Sequence, residues 1–450
     1  MSSKKLTAAI ALAASGAIAL LLAAFATGAS QSPAQAVVGS GKETAKSSVC
    51  GLGTGKKATG AVIKIGAIAT KQPGTDFTDI PNMAKAYFDC VNNNGGINGR
   101  RIQYFIETEQ TNPGQNAALV KKLVESTKVV GMVGNTSIIE CSINHKYYKS
   151  KGIYMIGSGI APECYSTSNI AAVNMGPRYS SDGAVQYVIR AGVNKIVFDQ
   201  SDVPGTGYIL AGPTAIAKAA KIPIVGFKDK TPIQDANSVA LKLVQAAGRN
   251  GGVVLNFTPD QALLILQAAQ QQGIADDVKA WGCSTPCNSD FVAAALGTVW
   301  DGKFGVNAEL ALTSKNAGDS ILYREIVEKM KPNLAFGLGS FSQMGFVEAR
   351  IAVAALLNMK PPYTLKRVNE AFAGVTNFRT DILCKPWYFG KIPRHIPNNW
   401  DLTVTPNKGK MVIKESCFPI SVADPDIAKV RVLEKKFKLN TGKPYPLQGK

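Results

Sequence analysis

Eight cysteines and two histidines carry the most reactive side chains of this 450-residue chain. A metal site built on Cys283 and Cys287 needs two further ligands, and only His145 and His395 are present as histidines, so we expect no metal. The predicted mature chain has no Gly-x-Ser-x-Gly or His-Glu-x-x-His motif, and no Gly-x-Gly-x-x-Gly follows a predicted strand. The sequence therefore gives no support for nucleophilic, zinc or dinucleotide chemistry, and we expect neither an enzyme nor a cofactor.

The N-terminal segment has the pattern of a secretory signal. Lys4 and Lys5 precede an apolar run from about Ala8 to Phe25, which an Ala34-x-Ala36 cleavage site follows. The alternative is a retained anchor helix, since the run approaches the roughly 20 residues that span a bilayer. All the cysteines lie beyond this segment, and an even number of cysteines in an exported protein predicts disulfide bonds. Their connectivity does not follow from the spacing.

Charge adds little to the functional interpretation. Removal of the signal takes away two lysines and no acid, so the net charge falls from +19 to +17. The basic residues are scattered, apart from Lys435-Lys436-Phe437-Lys438, and no zinc-finger or RNA-binding signature is present. This distribution indicates a solvated surface, with contact to an anionic wall or membrane as the alternative. We expect no nucleic-acid partner.

The mature chain alternates between strand and helix patterns. Short β-branched runs bounded by Gly and Pro predict strands, and apolar residues at helical spacing predict helices. The opening order is strand, helix, strand, helix, strand, over 61–70, 79–96, 101–110, 112–127 and 129–135. Later strands are predicted at 153–159, 195–202, 223–230, 251–257 and 278–283, with helices at 139–151, 206–221, 236–248, 260–272, 288–296, 319–331 and 338–358. Such alternation is typical of parallel sheets covered by helices, where ligands bind beyond the carboxyl ends of the strands.

Three segments show a family resemblance. IKIGAIAT, then NNNGGINGRRIQYFIETEQTNPGQNAALVKKLV, then VVGMVG resemble the first lobe of type I solute-binding proteins of ABC importers, of the leucine/isoleucine/valine-binding kind. The most specific motif is GGINGR (95–100), between a helix and a strand, and the looser resemblance extends from about residue 61 to about residue 420. It implies an α/β fold of two Rossmann-like lobes, with parallel central sheets joined by three crossovers. A hinge of this kind lets a cleft close on a ligand.

The resemblance also implies a division of the chain. We expect a signal peptide over 1–36, a flexible linker over 37–60, lobe 1 over 61–178 plus 309–388, lobe 2 over 179–308 plus 389–425, and a basic C-terminal tail over 426–450. In the tail, Ile427, Val430, Leu433 and Phe437 are predicted to share one face of a helix. The resemblance favours a Cys141–Cys164 disulfide. Cys283 and Cys287 could close a small loop, Cys384 and Cys417 could hold the C-terminal segment, and Cys50 is then left for Cys90.

Family position assigns most of the ligand-binding candidates, and the loop at 201–208 adds Asp202 and Tyr208, of which Tyr208 could instead pack in the core. Hydroxyls and free backbone amides after the strands of the first lobe would bind a carboxylate or another polar head, and Asp260 would pair with the ammonium of an amino acid. The full set is Gln72, Thr75, Thr136, Ser137, Ser158, Gly159, Asp202, Tyr208 and Asp260. Each Ser, Thr or Asp has an alternative role at the start of a helix. The first loop, 70–77, offers no obvious aromatic wall, which weighs against leucine-like ligands.

The resemblance thus predicts a monomeric extracytoplasmic receptor of an ABC importer. Its partners would be a small polar ligand, such as an amino acid or a related organic acid or amide, and an ABC permease in the membrane. Two other classes stay open: an exported sensor that binds a small amide or acid without transport, and a secreted α/β hydrolase. The N-terminal signal predicts a periplasmic, extracellular or cell-wall location.

Overall fold

The first of two β-sheets is built from the N-terminal part of the chain in this computed structural model, which describes residues 49–390 and 392–444. Its elements in chain order are β1 (Gly60–Gln72), β2 (Thr75–Asp76), α1 (Asp79–Asn93), β3 (Arg100–Glu109), α2 (Pro113–Lys121), β4 (Met132–Asn135), α3 (Glu140–Lys151), β5 (Met155–Gly157) and β6 (Ile170–Ala172). The parallel strands have the order β3-β1-β4-β5-β6, and β2 pairs antiparallel with the end of β1. The inner residues of β1 are buried, as expected for a strand covered on both faces.

The second sheet has seven strands. Its elements are α4 (Gly176–Arg190), β7 (Ile196–Ser201), α5 (Ala211–Ala219), β8 (Ile224–Asp229), α6 (Ala236–Ala247), β9 (Gly252–Asn256), α7 (Pro259–Gln271), β10 (Ala280–Cys283), α8 (Asp290–Leu296) and β11 (Phe304–Ala308). After α9 (Gly318–Met330), α10 (Ser340–Leu357) and α11 (Leu365–Ala373), the sheet gains β12 (Trp400–Asn407) and β13 (Lys410–Pro419), and α12 (Pro425–Phe437) follows. The strand order is β13-β12-β11-β10-β9-β7-β8, with β12 and β13 antiparallel.

The chain crosses between the two sheets three times. It leaves the first sheet before α4, returns after β11 and leaves again before β12. Between the second and third crossings, α9, α10 and α11 contribute side chains to the same core cluster as β1 and α1. Among the described residues, α10 is the one helix long and apolar enough to cross a membrane, but it is fully buried. It is therefore a core helix of the first half.

The structure confirms the predicted α/β class with two sheets and three crossovers, and it corrects several boundaries. The helix predicted over 112–127 ends as α-helix at Lys121 and continues as a π-helical turn, Lys122–Thr127. The helix predicted from 206 begins at Ala211. Neither α11 nor the β12–β13 hairpin was predicted as an element. The signal assigned to 1–36 lies outside the described residues.

The two terminal segments also differ from expectation. In α12, Ile427 and Val430 are buried as predicted, but Phe437 is 50% exposed, and the carboxylate of Glu434 occupies the buried face. Glu434 accepts hydrogen bonds from Tyr388 and Asn399, which explains how a charged residue can lie there. In the described part of the lead-in, residues 49–60, Cys50 and Ala58 are buried and Cys50 is bonded to Cys90, whereas residues 53–57 are exposed.

All eight cysteines form disulfides, which include the Cys141–Cys164 bond that the resemblance favoured and the three pairs that were considered possible. The bonds are Cys50–Cys90, Cys141–Cys164, Cys283–Cys287 and Cys384–Cys417. The first two lie in the half of the protein built on the first sheet. Cys283–Cys287 lies in the second half, at the end of β10. Cys384 lies before the third crossing, with its side chain in the core cluster of the second sheet, and its partner Cys417 belongs to β13.

Candidate functional site

A cavity of about 110 Å³ lies between the two sheets, beyond the carboxyl ends of their parallel strands. Its lining comes from loops after β4, β5, β7, β9, β10 and β11, from the start of α4 and from the first turns of α10. This is the position where open parallel sheets bind ligands. One water needs roughly 10–15 Å³ on this scale, so the cavity has room for on the order of ten water-sized groups.

The walls of the cavity are mainly apolar. Aromatic rings line it from both halves, and aliphatic side chains fill the surface between them. These residues are Phe77, Ile80, Ile138, Ile160, Val203, Ile209, Phe257, Pro286, Phe341 and Met344. Phe77 and Phe341 contact each other edge to face, with ring centroids 5.4 Å apart. Phe77 corrects the expectation that the first loop offers no aromatic wall. An apolar body with a few polar contacts is the usual character of a small-molecule site.

Hydroxyl and amide groups provide the polar contacts. The Ser180 hydroxyl accepts a hydrogen bond from the Thr285 amide at 2.6 Å and donates one to the Thr285 hydroxyl at 2.9 Å. In contrast, the Ser284 hydroxyl oxygen is buried and has no hydrogen-bond partner among the described residues. A buried hydroxyl without a partner costs roughly 1–3 kcal/mol. Ser284 is therefore available to bond with an occupant of the cavity.

Glu309 is the one ionisable residue among the described residues that line the cavity. It follows β11 at the second crossing between the sheets and is 1% exposed. Its Oε2 accepts a hydrogen bond from the Met175 amide. Burial raises the pKa of Glu309 to about 8, and the hydrogen bond from Met175 opposes that rise. The carboxyl group is therefore mostly protonated at neutral pH.

Three predicted ligand-binding residues line the cavity: Thr75, Thr136 and Ser158. Thr136 follows β4, and Ser158 follows β5. The Ser158 hydroxyl donates to Oε1 of Glu348 on α10 at 2.5 Å. Burial raises the pKa of Glu348 well above its ordinary value. The Ser158 oxygen can still accept a hydrogen bond from a ligand, but the hydroxyl can donate to a ligand only by giving up its bond to Glu348.

Other candidates from the first half are close to the cavity but not part of its lining. The Ser137 hydroxyl donates to Glu109 and accepts from Asn116 and the Glu140 amide, so it belongs to a buried network. The Gln72 side chain accepts a hydrogen bond from Thr111. Gly159 packs so tightly that a Cβ would lie 2.7 Å from the Cβ of Cys164. This arrangement gives no support for the predicted contacts of Ser137, Gln72 and Gly159 with a ligand.

The candidates from the second half are also outside the lining. Asp202 is exposed. Asp260 lies in the first turn of α7, where its Oδ2 accepts a hydrogen bond from Gln261 at 2.7 Å. The Tyr208 hydroxyl donates to the Ile160 carbonyl oxygen of the other half. Tyr208 therefore holds the cleft edges together rather than facing its interior.

The edges of the cleft meet in this structure. Besides the Tyr208 bond, the Thr258 hydroxyl donates to the Gly74 carbonyl oxygen at 3.4 Å. A Cβ on Gly74 would lie 2.6 Å from the nitrogen of Pro232, so the loop after β1 closely approaches the second half. The structure thus represents a closed arrangement, in which the cavity lies behind these contacts.

The sequence analysis missed Glu309 and Ser284. The signal for Glu309 was a single acidic residue inside the apolar run FGVNAELAL (304–312). Ser284 lies directly after Cys283, in a segment whose sequence indicates a disulfide loop and carries no pattern typical of a ligand-binding hydroxyl. The short Cys283–Cys287 loop holds Ser284 beside the cavity.

Comparison with known proteins agrees with this geometry. A family model described as periplasmic binding protein matches residues 62–410, and the chain belongs to that family. No curated protein matches the sequence. The family consists of solute-binding receptors rather than enzymes, and it implies an extracytoplasmic location.

Solved structures share the fold at low sequence identity. A branched-chain amino acid ABC transporter protein from Thermus thermophilus with bound valine has a TM-score of 0.72 and 14% identity, over 83% of this chain and 100% of that one. A fatty acid ABC transporter substrate-binding protein from Thermomonospora curvata has a TM-score of 0.67 and 19% identity, over 82% and 95%. A solute-binding protein from R. palustris in complex with benzoate has a TM-score of 0.64 and 16% identity, over 80% and 98%.

Proposed function

We propose that this protein is the extracytoplasmic receptor of an ABC importer, which closes the cleft between its two halves on a small molecule and presents it to a membrane permease. The observation that carries the proposal is the cavity of about 110 Å³, enclosed between two sheets that three crossovers join. In this proposal the two halves act as the expected lobes, and the signal at 1–36 would direct export. The amino acid, fatty acid and benzoate named for the similar structures support a small organic ligand.

The closed contacts support a receptor that changes shape. Tyr208 and Thr258 donate across the cleft to carbonyl oxygens of the first half, so separation of the halves breaks only a few hydrogen bonds at these points. A ligand that contacts both walls binds the closed state more tightly than the open state, and it therefore shifts the equilibrium towards the closed state. A permease can then distinguish loaded from empty receptor by shape.

A thermal-stability screen of metabolites with the purified mature protein tests the proposal. A true ligand at about 100 times its dissociation constant adds about 2.7 kcal/mol to the free energy of unfolding. Val203→Trp places a bulky ring in the cavity from a loop, whereas Val422→Trp makes the same change at a position that is 62% exposed. We expect the ligand to stabilise the parent and the Val422 variant but not the Val203 variant.

Two results count against the proposal. If no metabolite stabilises the parent protein, the cleft is not a receptor site for the screened classes. If a ligand stabilises the Val203 variant as strongly as the parent, it binds elsewhere. Reconstitution with the cognate permease then separates a transport receptor from a sensor, because only the former raises uptake of the identified ligand.

A further inference from the structure

The charge content of the cavity restricts what it can bind. Its described lining contains no Lys, Arg, His or Asp, and Glu309 is its one ionisable side chain. An ion moved from water into a closed apolar cleft needs an opposite charge or several strong hydrogen bonds. A ligand carboxylate finds no cationic side chain here. A zwitterion would need partners for both of its charges, and Asp260, the predicted partner for an ammonium, is outside the lining.

The environment of Glu309 favours its neutral form. Oε2 already accepts the Met175 amide, so the carboxyl proton is best placed on Oε1. In that state Glu309 is a hydrogen-bond donor in an apolar site. The neighbouring Asp401 is also fully buried, and its pKa is raised by burial and by the proximity of Glu309. Two buried acids close together disfavour a second negative charge, whether on Glu309 or on a ligand.

The remaining polar groups suit an oxygen acceptor. The unpartnered hydroxyl of Ser284 can donate one hydrogen bond. The cavity also includes the start of α4 at Gly176, where the helix dipole favours electron-rich atoms. These groups match a single uncharged oxygen without requiring a counter-charge. The aromatic and aliphatic walls, among them Phe77, Phe257 and Phe341, match an apolar body.

We propose that the cleft is selective for small uncharged molecules that have an apolar body and a carbonyl-type polar head, such as carboxamides, with Glu309 and Ser284 as hydrogen-bond donors to the head. This proposal rests on the receptor function proposed above and specifies its ligand class. It assigns the selectivity of the cleft to Glu309 at the second crossing and to Ser284 in the Cys283–Cys287 loop. Asp260 has no part in this selection.

Matched sets of compounds test the selectivity. Benzamide, benzoate and benzylamine share one body and differ in charge, and 3-methylbutanamide, 3-methylbutanoate and 3-methylbutylamine form an aliphatic set. Titration calorimetry of the parent protein at neutral pH should show that a carboxamide binds at least roughly tenfold more tightly than its charged counterparts. The carboxylate finds no cationic side chain, and the amine gains a counter-charge only if the buried Glu309 gives up its proton. A carboxylate or an amine that binds more tightly than its carboxamide overturns the proposal. So does the failure of both carboxamides to bind.

Variants of Glu309 test its role as a donor. Glu309→Leu removes the donor and should weaken binding of the preferred carboxamide by roughly tenfold or more, whereas Glu309→Gln keeps an N–H donor and should restore most of that loss. If Glu309→Leu binds as tightly as the parent, Glu309 does not contact the head. The affinity of each variant is compared with that of the parent only after a thermal unfolding midpoint shows that the variant is folded. The test with the two compound sets uses the parent protein alone and does not depend on any variant.

The outcomes separate this inference from the receptor function. If leucine or another charged metabolite binds in a way that Val203→Trp abolishes, the receptor function is supported and the neutral-ligand inference is overturned. If the broad screen and both compound sets show no binding, both proposals are overturned.

Discussion

Two helices of the first half approach each other closely at Gly345, in α10. A Cβ at this position would lie 1.9 Å from the carbonyl oxygen of Ile80 on α1. Ile80 also lines the cavity, as do Phe341 and Met344 from the first turns of α10. The Gly345 contact therefore sets both the packing of the first half and the width of one wall of the cleft. Gly345→Ala tests this dependence.

Two effects of Gly345→Ala oppose each other. Alanine in a helix interior is favoured over glycine by roughly 1 kcal/mol. Non-bonded carbon and oxygen atoms stay about 3.2 Å or more apart, so the two helices must separate by roughly 1.3 Å to admit the new methyl group. Gaps of about 0.5–1 Å between packed atoms already remove a quarter to a half of their dispersion attraction. Overpacking of this kind costs about 1–3 kcal/mol or more. Subtraction of the gain from the cost gives an expected net loss of up to about 2 kcal/mol in the free energy of unfolding.

Urea denaturation followed by circular dichroism measures that loss. Gly207→Ala is the matched control, because no atom lies within 4 Å of a Cβ at Gly207. That change should be neutral or slightly stabilising, by up to about 1 kcal/mol. Ligand affinity should fall in the Gly345 variant and not in the control, since only the former moves Ile80. If Gly345→Ala is as stable as Gly207→Ala, the close helix approach is refuted.

Three further predictions concern the disulfides, the buried acids and closure. Loop entropy predicts that replacement of Cys141 and Cys164 by Ala, at a separation of 23 residues, lowers the free energy of unfolding by about 3.4 kcal/mol. The same replacement of Cys283 and Cys287, at a separation of 4, should lower it by about 1.9 kcal/mol. The reverse order in urea denaturation would contradict this prediction. Burial raises the pKa of Glu140 to about 8 from its ordinary value of 4.5, so its contribution to stability is present below about pH 4.5 and is lost as the pH rises towards 8. Glu140→Gln should therefore flatten the decline of unfolding free energy over that range, and an equal decline in both proteins would argue against a neutral Glu140. In small-angle scattering, saturating ligand should reduce the radius of gyration, whereas an unchanged profile would indicate a permanently closed cleft.

Local patterns predicted the parallel parts of the fold because buried strands and their covering helices have strong, distinct periodicities. They failed where tertiary contacts decide the structure. The β12–β13 hairpin adds antiparallel strands to one edge of the second sheet, and β13 has mixed burial instead of a clear alternation. Glu434 is buried in α12 because side chains outside the helix donate hydrogen bonds to its carboxylate. The periodicity of the helix sequence does not reveal these donors.

The candidate site was predictable in part for the same reason. Thr136 and Ser158 follow parallel strands, and such positions meet at one edge of a sheet. Glu309 could not be assigned because its side-chain direction depends on how the second crossing places it against Met175. Asp260 has the sequence context of a ligand residue, yet its position at the start of α7 turns its carboxylate towards Gln261. Spacing along the chain locates a loop, but it does not determine which side chains face the cavity.

Three of the four disulfides lie within one half, and the fourth, Cys384–Cys417, ties the chain just before the third crossing to β13 of the second sheet. The first three therefore stiffen one half each, whereas Cys384–Cys417 fixes a segment through which the two halves are joined. Reduction should increase the susceptibility of either half to proteolysis while the opening and closing of the cleft continues in the molecules that stay folded. In this protein the redox state would govern the working lifetime of the receptor, and the ligand would govern its shape.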